Sequence, residues 1–516
     1  MLTSTLHVNS ESPTRPAAAP AKTLVAAVAG AARNACVALS TGAEIAGVCE
    51  QERITRVRAA GFNATGLPDE ALDEVLRRAG RRRGDVDRYV VAESGSPASR
   101  DGFEQLDHHF AHACSAFMPS PFESATVVVC DHTAPFVSVW DGDGRTMTRI
   151  DWPWNGAGFA DIYSACAEAI GFNGGGREQR MEALARLDPD HRDDRIDDLI
   201  ALESDGLRLP ADWQARVESW ASASDYERAQ VAAGLQSRLA GLLVAFLEDV
   251  RRRTRRGHLC LGGTLFSNSH FNARVKVLSG FDEIFVPVNP GDAGLAVGAA
   301  MHVSGQPRHT VTPFLGPAYS LEDMKAVLDN CKLQYECASG GDAVAIAVDA
   351  LKKGRLVAWF EGAMEWGPRA LGARSILASP FSPYVLDNLN RFLKQRDPWR
   401  GYALSGLAAA VDEHFDGPDA SPFMECDYVP RDRRRFRHVL PAPNAAVRVQ
   451  TVGADAPPRF RELLAAFGAD TGIPIVVNTS FNGFQEPIVC SPRDAVRVFF
   501  GTGIDTLVLD RFVIRK

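Results

Sequence analysis

The sequence predicts an α/β protein of more than one domain. Short apolar runs bounded by small residues alternate with stretches of helical period, and a chain of 516 residues is longer than one hydrophobic core usually organises. At roughly 150 residues per domain it makes about three folding units.

In chain order, TLVAAVAG from Thr23, then ACVALS and EIAGVCE, read as a β-meander bounded by small residues. A helix is expected at about Asp69 to Arg82, a strand at Tyr89 to Ala92, a helix through His108 to Phe117, and the apolar strand ATVVVC running into Asp131. Apolar spacing from Tyr226 to Arg253 predicts a long amphipathic helix, closed by basic residues that complement the negative end of its dipole. After Gly257 come the strand HLCLGG and the strand EIFVPV, the second leading into the turn Asn289-Pro-Gly-Asp-Ala-Gly. Around Pro307 to Gly316 the composition turns to Pro, Gly and Thr, and a fresh series of helix, strand RLVAWF and Gly-rich turn begins, which places a domain boundary there. No repeat of fixed period is visible, so solenoids and propellers are excluded.

Composition narrows the function classes. No apolar run approaches the ~20 residues that span a bilayer, and 46% hydrophobic with 23% charged residues is the balance of a globular protein. The first 22 residues read as a disordered tail without a secretion signal, and a cytoplasmic location is expected. The ten cysteines show neither C-x-x-C pairs nor a disulfide rhythm and read as buried free thiols. A net charge of −8 argues against nucleic acid as the main partner, and the runs at Arg81, Arg251 and Arg433 read as solvated faces.

His108, His109 and His112 fall within one expected helix, where positions four apart share a face. His108 and His112 could grip one divalent ion, with Asp131 at a strand end and Asp292 in a tight turn adding oxygens. A hydrogen-bonded histidine pair is the equal alternative on spacing alone. Phe110 stands where a metalloprotease motif needs glutamate, and His109 has no derivable role.

Long segments then resemble a family. DHHFAHACSAF, the strand ending in Asp131 and VPVNPGDAGLAVGAAM, followed by WFEGAMEWGPRALGARSILASP, DNLNRFLKQRDPWR, SPFM, VRVQTV, TGIPIVVNTSFNGFQEPIVCSP and TGIDTLVL, are similar to the cephem, aminoglycoside and nodulation O-carbamoyltransferases. They keep the family's order over nearly the whole chain after the tail. The resemblance implies an actin-like domain of the tRNA-threonylcarbamoylation type at 23–310 and a YrdC-like domain at 311–516, behind the tail of residues 1–22. It implies that carbamoyl phosphate and ATP, with Mg2+, form carbamoyladenylate in the second domain, and that the carbamoyl group passes to a hydroxyl in the first.

Carried over by residue, the family's metal ligands fall on His108, His112, Asp131 and Asp292, with Fe2+ favoured over Zn2+ or Mn2+. Its Lys-x-Arg and Ser-x-Asn signature falls on Lys394, Arg396, Ser480 and Asn482. Arg369, Arg374, Lys394, Arg396 and Arg400 then read as a basic wall for phosphates, with Lys394, Arg396, Arg369 and Arg374 as catalytic candidates. Asn390, Asn478, Ser480, Asn482, Arg400, Gly263 and Asn268 are the expected co-substrate contacts. Trp366 beside the wall is expected to fill core rather than stack on a base.

The sequence also departs from the family. Arg33-Asn34 replaces His-Asp, Arg58 replaces a lysine, His132-Thr133-Ala134-Pro135 replaces a loop containing glycine and glutamate, and Thr264 replaces the second of two glycines. Gln179 replaces a lysine, Gly401-Tyr402-Ala403-Leu404 replaces a Pro-rich run, and of one histidine-containing motif mainly Arg448 survives. These changes suggest an unusual acceptor. The expected partner is a small molecule from a biosynthetic pathway, with neither nucleic acid nor membrane, and a homodimer is among the assemblies left open. Transfer to nitrogen or of another acyl group is the runner-up; tRNA threonylcarbamoylation and a noncatalytic binding protein are further alternatives, and hydrogenase maturation is disfavoured by the lack of zinc-finger cysteines.

Overall fold

The computed structural model describes residues 23–42, 44–92, 102–222, 224–305 and 310–516. The expected tail and residues 306–309 of the expected boundary lie outside the described residues.

The N-terminal unit holds two five-stranded sheets. In the first, β1 (Val25–Ala29), β2 (Cys36–Ser40) and β3 (Ile45–Glu50) form the expected meander, and β4 (Arg88–Ala92) and β5 (Phe103–Leu106) add in parallel, giving the order β3-β2-β1-β4-β5. Every residue of β1 and β2 is buried, as suits central strands covered on both faces. The second sheet repeats that connectivity. β6 (Ser124–Cys130), β7 (Val137–Asp143) and β8 (Thr146–Ile150) form a meander, a small hairpin of β9 (Ala201–Glu203) and β10 (Gly206–Arg208) stands apart, and β11 (His258–Gly262) and β12 (Glu283–Phe285) add in parallel to β6. β12 stops before the expected end of EIFVPV, where Pro287 has no N–H for a ladder.

Helices α1 (Gln51–Thr55) and α2 (Asp69–Arg78) follow the first meander. The second ends earlier than Arg82 because Gly80 turns out of the helix at φ +64°. Helix α3 (His108–Phe117) is buried on two faces. Ala111, Cys114 and Met118 pack with β1 of the first sheet, and Ala113, Ala116 and Phe117 with β6 of the second. Helices α4 (Phe159–Ala169), α5 (Arg177–Ala185), α6 (Asp194–Asp197), α7 (Trp213–Ala221) and α8 (Asp225–Thr254) pack around the second sheet. Helix α8 is long and apolar enough to cross a membrane, yet 67% of its most apolar stretch is buried inside the protein. Helices α9 (Ser269–Leu278) and α10 (Leu295–Ser304) complete the unit.

The C-terminal unit is built on a ten-stranded mixed sheet whose edge strands are Glu336–Cys337 and Phe415–Asp416. In the strand Val357–Phe360 the side chains alternate as period two demands. Val357 and Trp359 face the helices Gly340–Lys352 and Pro458–Thr471, whereas Ala358 and Phe360 face Leu321–Asn330 and Pro492–Phe500. The two units share core: Trp366 fills apolar space, packing among Val288, Ala293 and Leu295 of the N-terminal unit while its indole N–H donates to the Thr312 carbonyl at 3.1 Å.

Candidate metal centre and the basic interface

Helix α3 opens on its own cap, the Asp107 carboxylate accepting the Phe110 amide at 2.9 Å, and this sets His108 and His112 one turn apart on one face. Their rings stand 4.7 Å apart at 84°. Strand β6 delivers Asp131 at its end, and the turn before α10 delivers Asp292. His108 Nε2 lies 3.0 Å from Asp131 Oδ2, and His112 Nε2 lies 3.7 Å from Asp131 Oδ1 and 3.6 Å from Asp292 Oδ1. One donor atom from each of the four residues lies within 4.8 Å of all the others. Both ring nitrogens of His112 and Asp292 Oδ1 are buried without a hydrogen-bond partner among the described residues. Such orphans are costly unless something else satisfies them, and imidazole with carboxylate is a donor set that fits a divalent cation.

A second layer fixes these donors. Asp131 Oδ1 accepts the Thr264 amide at 3.0 Å and its hydroxyl at 2.7 Å, and Oδ2 accepts the Thr133 amide at 3.3 Å. Burial alone would raise the Asp131 carboxyl, but the His108 hydrogen bond, His112 and Thr264 outweigh it and hold it far below the usual range. Gly263, beside Thr264, has φ +99°, and a Cβ there would stand 2.1 Å from the Cys130 carbonyl oxygen.

His109, without a role in sequence, pins the loop after Asp131. Its Nε2–H donates to the Thr133 carbonyl at 2.8 Å, and its Nδ1 accepts from the Ser138 hydroxyl at 2.8 Å, which in turn takes the Trp140 indole N–H. Burial pushes His109 down, in keeping with a neutral ring. His132, one of the departures, pairs with Asp161 at 3.0 Å.

Of the C-terminal candidates, Lys394, Arg396 and Arg400 lie within electrostatic reach of one another, and Arg400 and Arg369 are both within reach of Arg186. Lys394 Nζ donates to the Ser480 carbonyl at 2.7 Å and to the Asn482 carbonyl at 3.0 Å, and contacts the Asn482 side-chain oxygen. Burial, then Arg396, lowers its proton affinity well below the ordinary lysine range. Arg396 donates to Asn390 Oδ1 at 2.9 Å and lies 4.0 Å over the Tyr402 ring. Burial and Arg396 push Arg400 down to about 10.

Arg374 corrects the expectation. Fully buried, it donates to the carbonyls of Glu361, Ala373, Pro317 and Gly362 and stacks 3.5 Å over Phe360, so it braces the sheet and faces no cleft. Asn390, Asn478 and Asn268 are likewise used within the fold: Asn390 donates to the Pro398 and Arg400 carbonyls, Asn478 donates to Ala370 and Ser405, and Asn268 caps α9.

Arg369 instead reaches across the units, donating to the Ser267 carbonyl at 3.3 Å. Beside it lies a buried network that no local motif announces. Glu182 Oε1 accepts Arg448 Nη2 at 2.8 Å, the Ser269 amide at 2.8 Å and Arg186, while Arg186 Nε donates to Asp427 Oδ2 at 2.8 Å. Glu182 and Arg186 lie on and just after α5, Ser269 opens α9, and Asp427 and Arg448 sit on adjacent strands of the ten-stranded sheet. Burial and Arg448 lower Arg369 to about 9. Within this buried cluster, Arg186, Arg369 and Arg448 stand against Glu182 and Asp427, one positive charge in excess.

Comparison with known proteins agrees over most of the chain. Residues 94–301 match the carbamoyltransferase N-terminus and residues 348–516 the carbamoyltransferase C-terminus. An uncharacterised protein of Synechocystis sp. is 32% identical over 489 residues, covering 83% of this chain and 79% of that one. Nodulation protein NolO of Bradyrhizobium diazoefficiens is 32% identical over 440 residues, 80% of this chain and 79% of its own. The 3'-hydroxymethylcephem-O-carbamoyltransferase of Amycolatopsis lactamdurans is 30% identical over 279 residues, 52% of this chain and 51% of that enzyme. With both family halves matched in order, and relatives aligned over most of their length, the chain is an enzyme of the carbamoyltransferase family.

Proposed function

We propose that the chain is an ATP-dependent carbamoyltransferase that activates carbamoyl phosphate in a YrdC-like unit at 311–516 and transfers the carbamoyl group, in an actin-like unit at 23–310, to a hydroxyl of a small biosynthetic intermediate. The observation that carries this reading is the set His108, His112, Asp131 and Asp292, whose orphaned donors suit a cation, in a chain of this family. The twice-used strand order supports the actin-like reading.

In the activation step water attacks the phosphorus of carbamoyl phosphate and releases inorganic phosphate and carbamate, a carbamate oxygen then attacks the α-phosphorus of ATP, and pyrophosphate leaves. The excess positive charge around Arg369 and Arg448 and the donors Lys394 and Arg396 suit the phosphates of both substrates. In the transfer step the acceptor hydroxyl oxygen attacks the carbamoyl carbon, AMP leaves, and the hydroxyl proton passes to a base. His108, His112, Asp131 and Asp292 would hold the divalent ion, Fe2+ before Zn2+ or Mn2+, and such an ion supplies Lewis-acid polarisation of the carbamoyl group. Thr264 and Thr133 keep Asp131 oriented toward it. A small-molecule acceptor in place of nucleic acid accords with the net charge of −8.

A second reading keeps the activation step and changes the acceptor to nitrogen or the acyl group to another. Thr264 on Asp131 and the His132–Asp161 pair, both at the metal side, favour a remodelled acceptor pocket.

The test is carbamoyl-phosphate-dependent pyrophosphate release with carbamoyladenylate followed by mass spectrometry, in metal-loaded native enzyme, Lys394→Ala and Arg396→Ala. The reading expects intermediate from native enzyme and its loss in both variants. No carbamoyladenylate from native enzyme would sink it.

A further inference from the structure

The segment from Glu50 through Arg56, at the end of β3 and along α1, holds two loops of the other unit. Glu50 Oε1 accepts the Gly367 amide at 2.6 Å, and Arg53 Nη2 donates to the Gly367 carbonyl at 2.9 Å, so both backbone groups of that glycine are fixed by side chains of the N-terminal unit. Arg53 is itself held by Glu50 at 3.4 Å and Glu52 at 2.9 Å. Glu50 and Arg53 are 6% and 4% exposed, so water does not compete for these bonds. Gly367 has φ +95°, its missing Cβ leaves 3.1 Å to Val288 just ahead of the turn carrying Asp292, and two residues further on stands Arg369.

The second hold is Arg56. Its Nη1 donates to the Ile488 carbonyl at 2.6 Å and its Nη2 to the Pro487 carbonyl at 2.7 Å, with Asp494 3.6 Å from Nε. Pro487 follows Glu486, whose carbonyl accepts the Asn482 side-chain amide at 2.6 Å, and Asn482 is the residue that caps Lys394. Arg56 adopts φ 60°, a left-handed conformation that strains a non-glycine residue. Two guanidinium bonds to neighbouring carbonyls stabilise that geometry.

We propose that Glu50, Arg53 and Arg56 are positioning residues through which the metal-bearing unit sets the placement of Arg369 and of the Lys394–Asn482 pair, so that activation geometry is completed from outside the activating unit. The proposal rests on the activity given above. One short segment grips both loops at their backbones, and a shift of about 1 Å in such groups costs on the order of 100-fold in rate.

The experiment uses the full chain with Arg53→Ala, Arg56→Ala, Arg56→Lys and, should alanine at either arginine prevent folding, Glu50→Gln, which keeps an acceptor for the Gly367 amide but removes the charge opposite Arg53. Hydrogen–deuterium exchange is read at residues 365–371 and 482–490, alongside carbamoyl-phosphate-dependent pyrophosphate release. Arg53→Ala and Glu50→Gln are expected to speed exchange at 365–371, and Arg56→Ala at 482–490. In each, kcat is expected to fall by about ten-fold or more, with KM for ATP changed by less than about two-fold. Arg56→Lys, one point donor for two carbonyls, should restore only part of the loss. Loosened loops with unchanged kcat would show mere interface adhesion and overturn the proposal, as would unchanged exchange. If native enzyme releases no pyrophosphate, the activity reading is what fails, and exchange alone decides whether this segment controls the two loops.

Discussion

Thr264 holds Asp131 twice through a single oxygen, its amide 3.0 Å and its hydroxyl 2.7 Å from Oδ1. The residue read in the sequence as a departure from paired glycines therefore orients a carboxylate of the candidate metal set. Thr264→Ala removes one hydrogen bond to a charged acceptor and should cost about 1.5–3 kcal/mol of stability. Metal affinity should fall about ten-fold, whereas Thr264→Ser should keep both. Thermal unfolding and calorimetric titration with Zn2+ measure the two effects, and equal affinity in the alanine variant would show that Asp131 needs no such support.

The four-residue set should act as one site. His112→Ala and Asp292→Asn are each expected to lose most bound metal by elemental analysis of the purified protein. His109→Gln, which disturbs the loop after Asp131 but removes no donor, should retain it. Full metal content in His112→Ala would place the ion elsewhere.

Glu182 makes stability depend on pH. Burial alone would raise its carboxyl, but Arg186, Arg448, Arg369 and the Ser269 bonds hold it well below the ordinary value of 4.5. Below that value the unfolded chain binds the proton that the folded one refuses, so this contribution is complete above about pH 4.5 and is lost as pH falls toward the depressed folded value. Melting temperature should accordingly drop more steeply from about pH 4.5 down to about pH 2 in native protein than in Glu182→Gln. At neutral pH, Glu182→Ala, which leaves buried guanidinium groups unpaired, should lose about 3–5 kcal/mol. Parallel pH profiles would remove Glu182 from this account.

Arg374 and Arg396 should separate stability from activity. Arg374→Met removes the guanidinium donor from four carbonyls, of which Ala373 and Pro317 keep a backbone N–H, and is expected to destabilise by about 1–3 kcal/mol for each of the other two, Glu361 and Gly362. Arg396→Ala, at a less enclosed position, should unfold within a few degrees of native while losing pyrophosphate release. Denaturant unfolding beside the activity assay tells them apart; the reverse pattern would exchange their roles.

What the sequence disclosed follows the range of its signals. The meander at Thr23, helix α3 and helix α8 are legible because apolar period is a local property. The metal set is half legible: His108 and His112 announce themselves by spacing, but only the parallel pairing of β6 with β11 brings Asp131 to Thr264 and the turn of Asp292. Glu182, Ser269, Asp427 and Arg448 come from four segments with no shared pattern, and nothing local predicts their meeting. Arg374 misled because a guanidinium in a Gly-rich stretch looks alike whether it faces phosphate or backbone carbonyls. The twice-used strand order leaves no sequence period because pairing constrains backbone direction and burial, not side-chain identity.

Trp366 belongs by sequence to one unit and by packing to the other. Co-expressing the chain as two polypeptides severed in the connecting stretch would leave that indole in water on one piece and a slot beside Val288 and Leu295 open on the other. Each fragment would expose apolar surface that the intact chain keeps buried. In the single chain the plug is tethered to its socket from the moment both are synthesised.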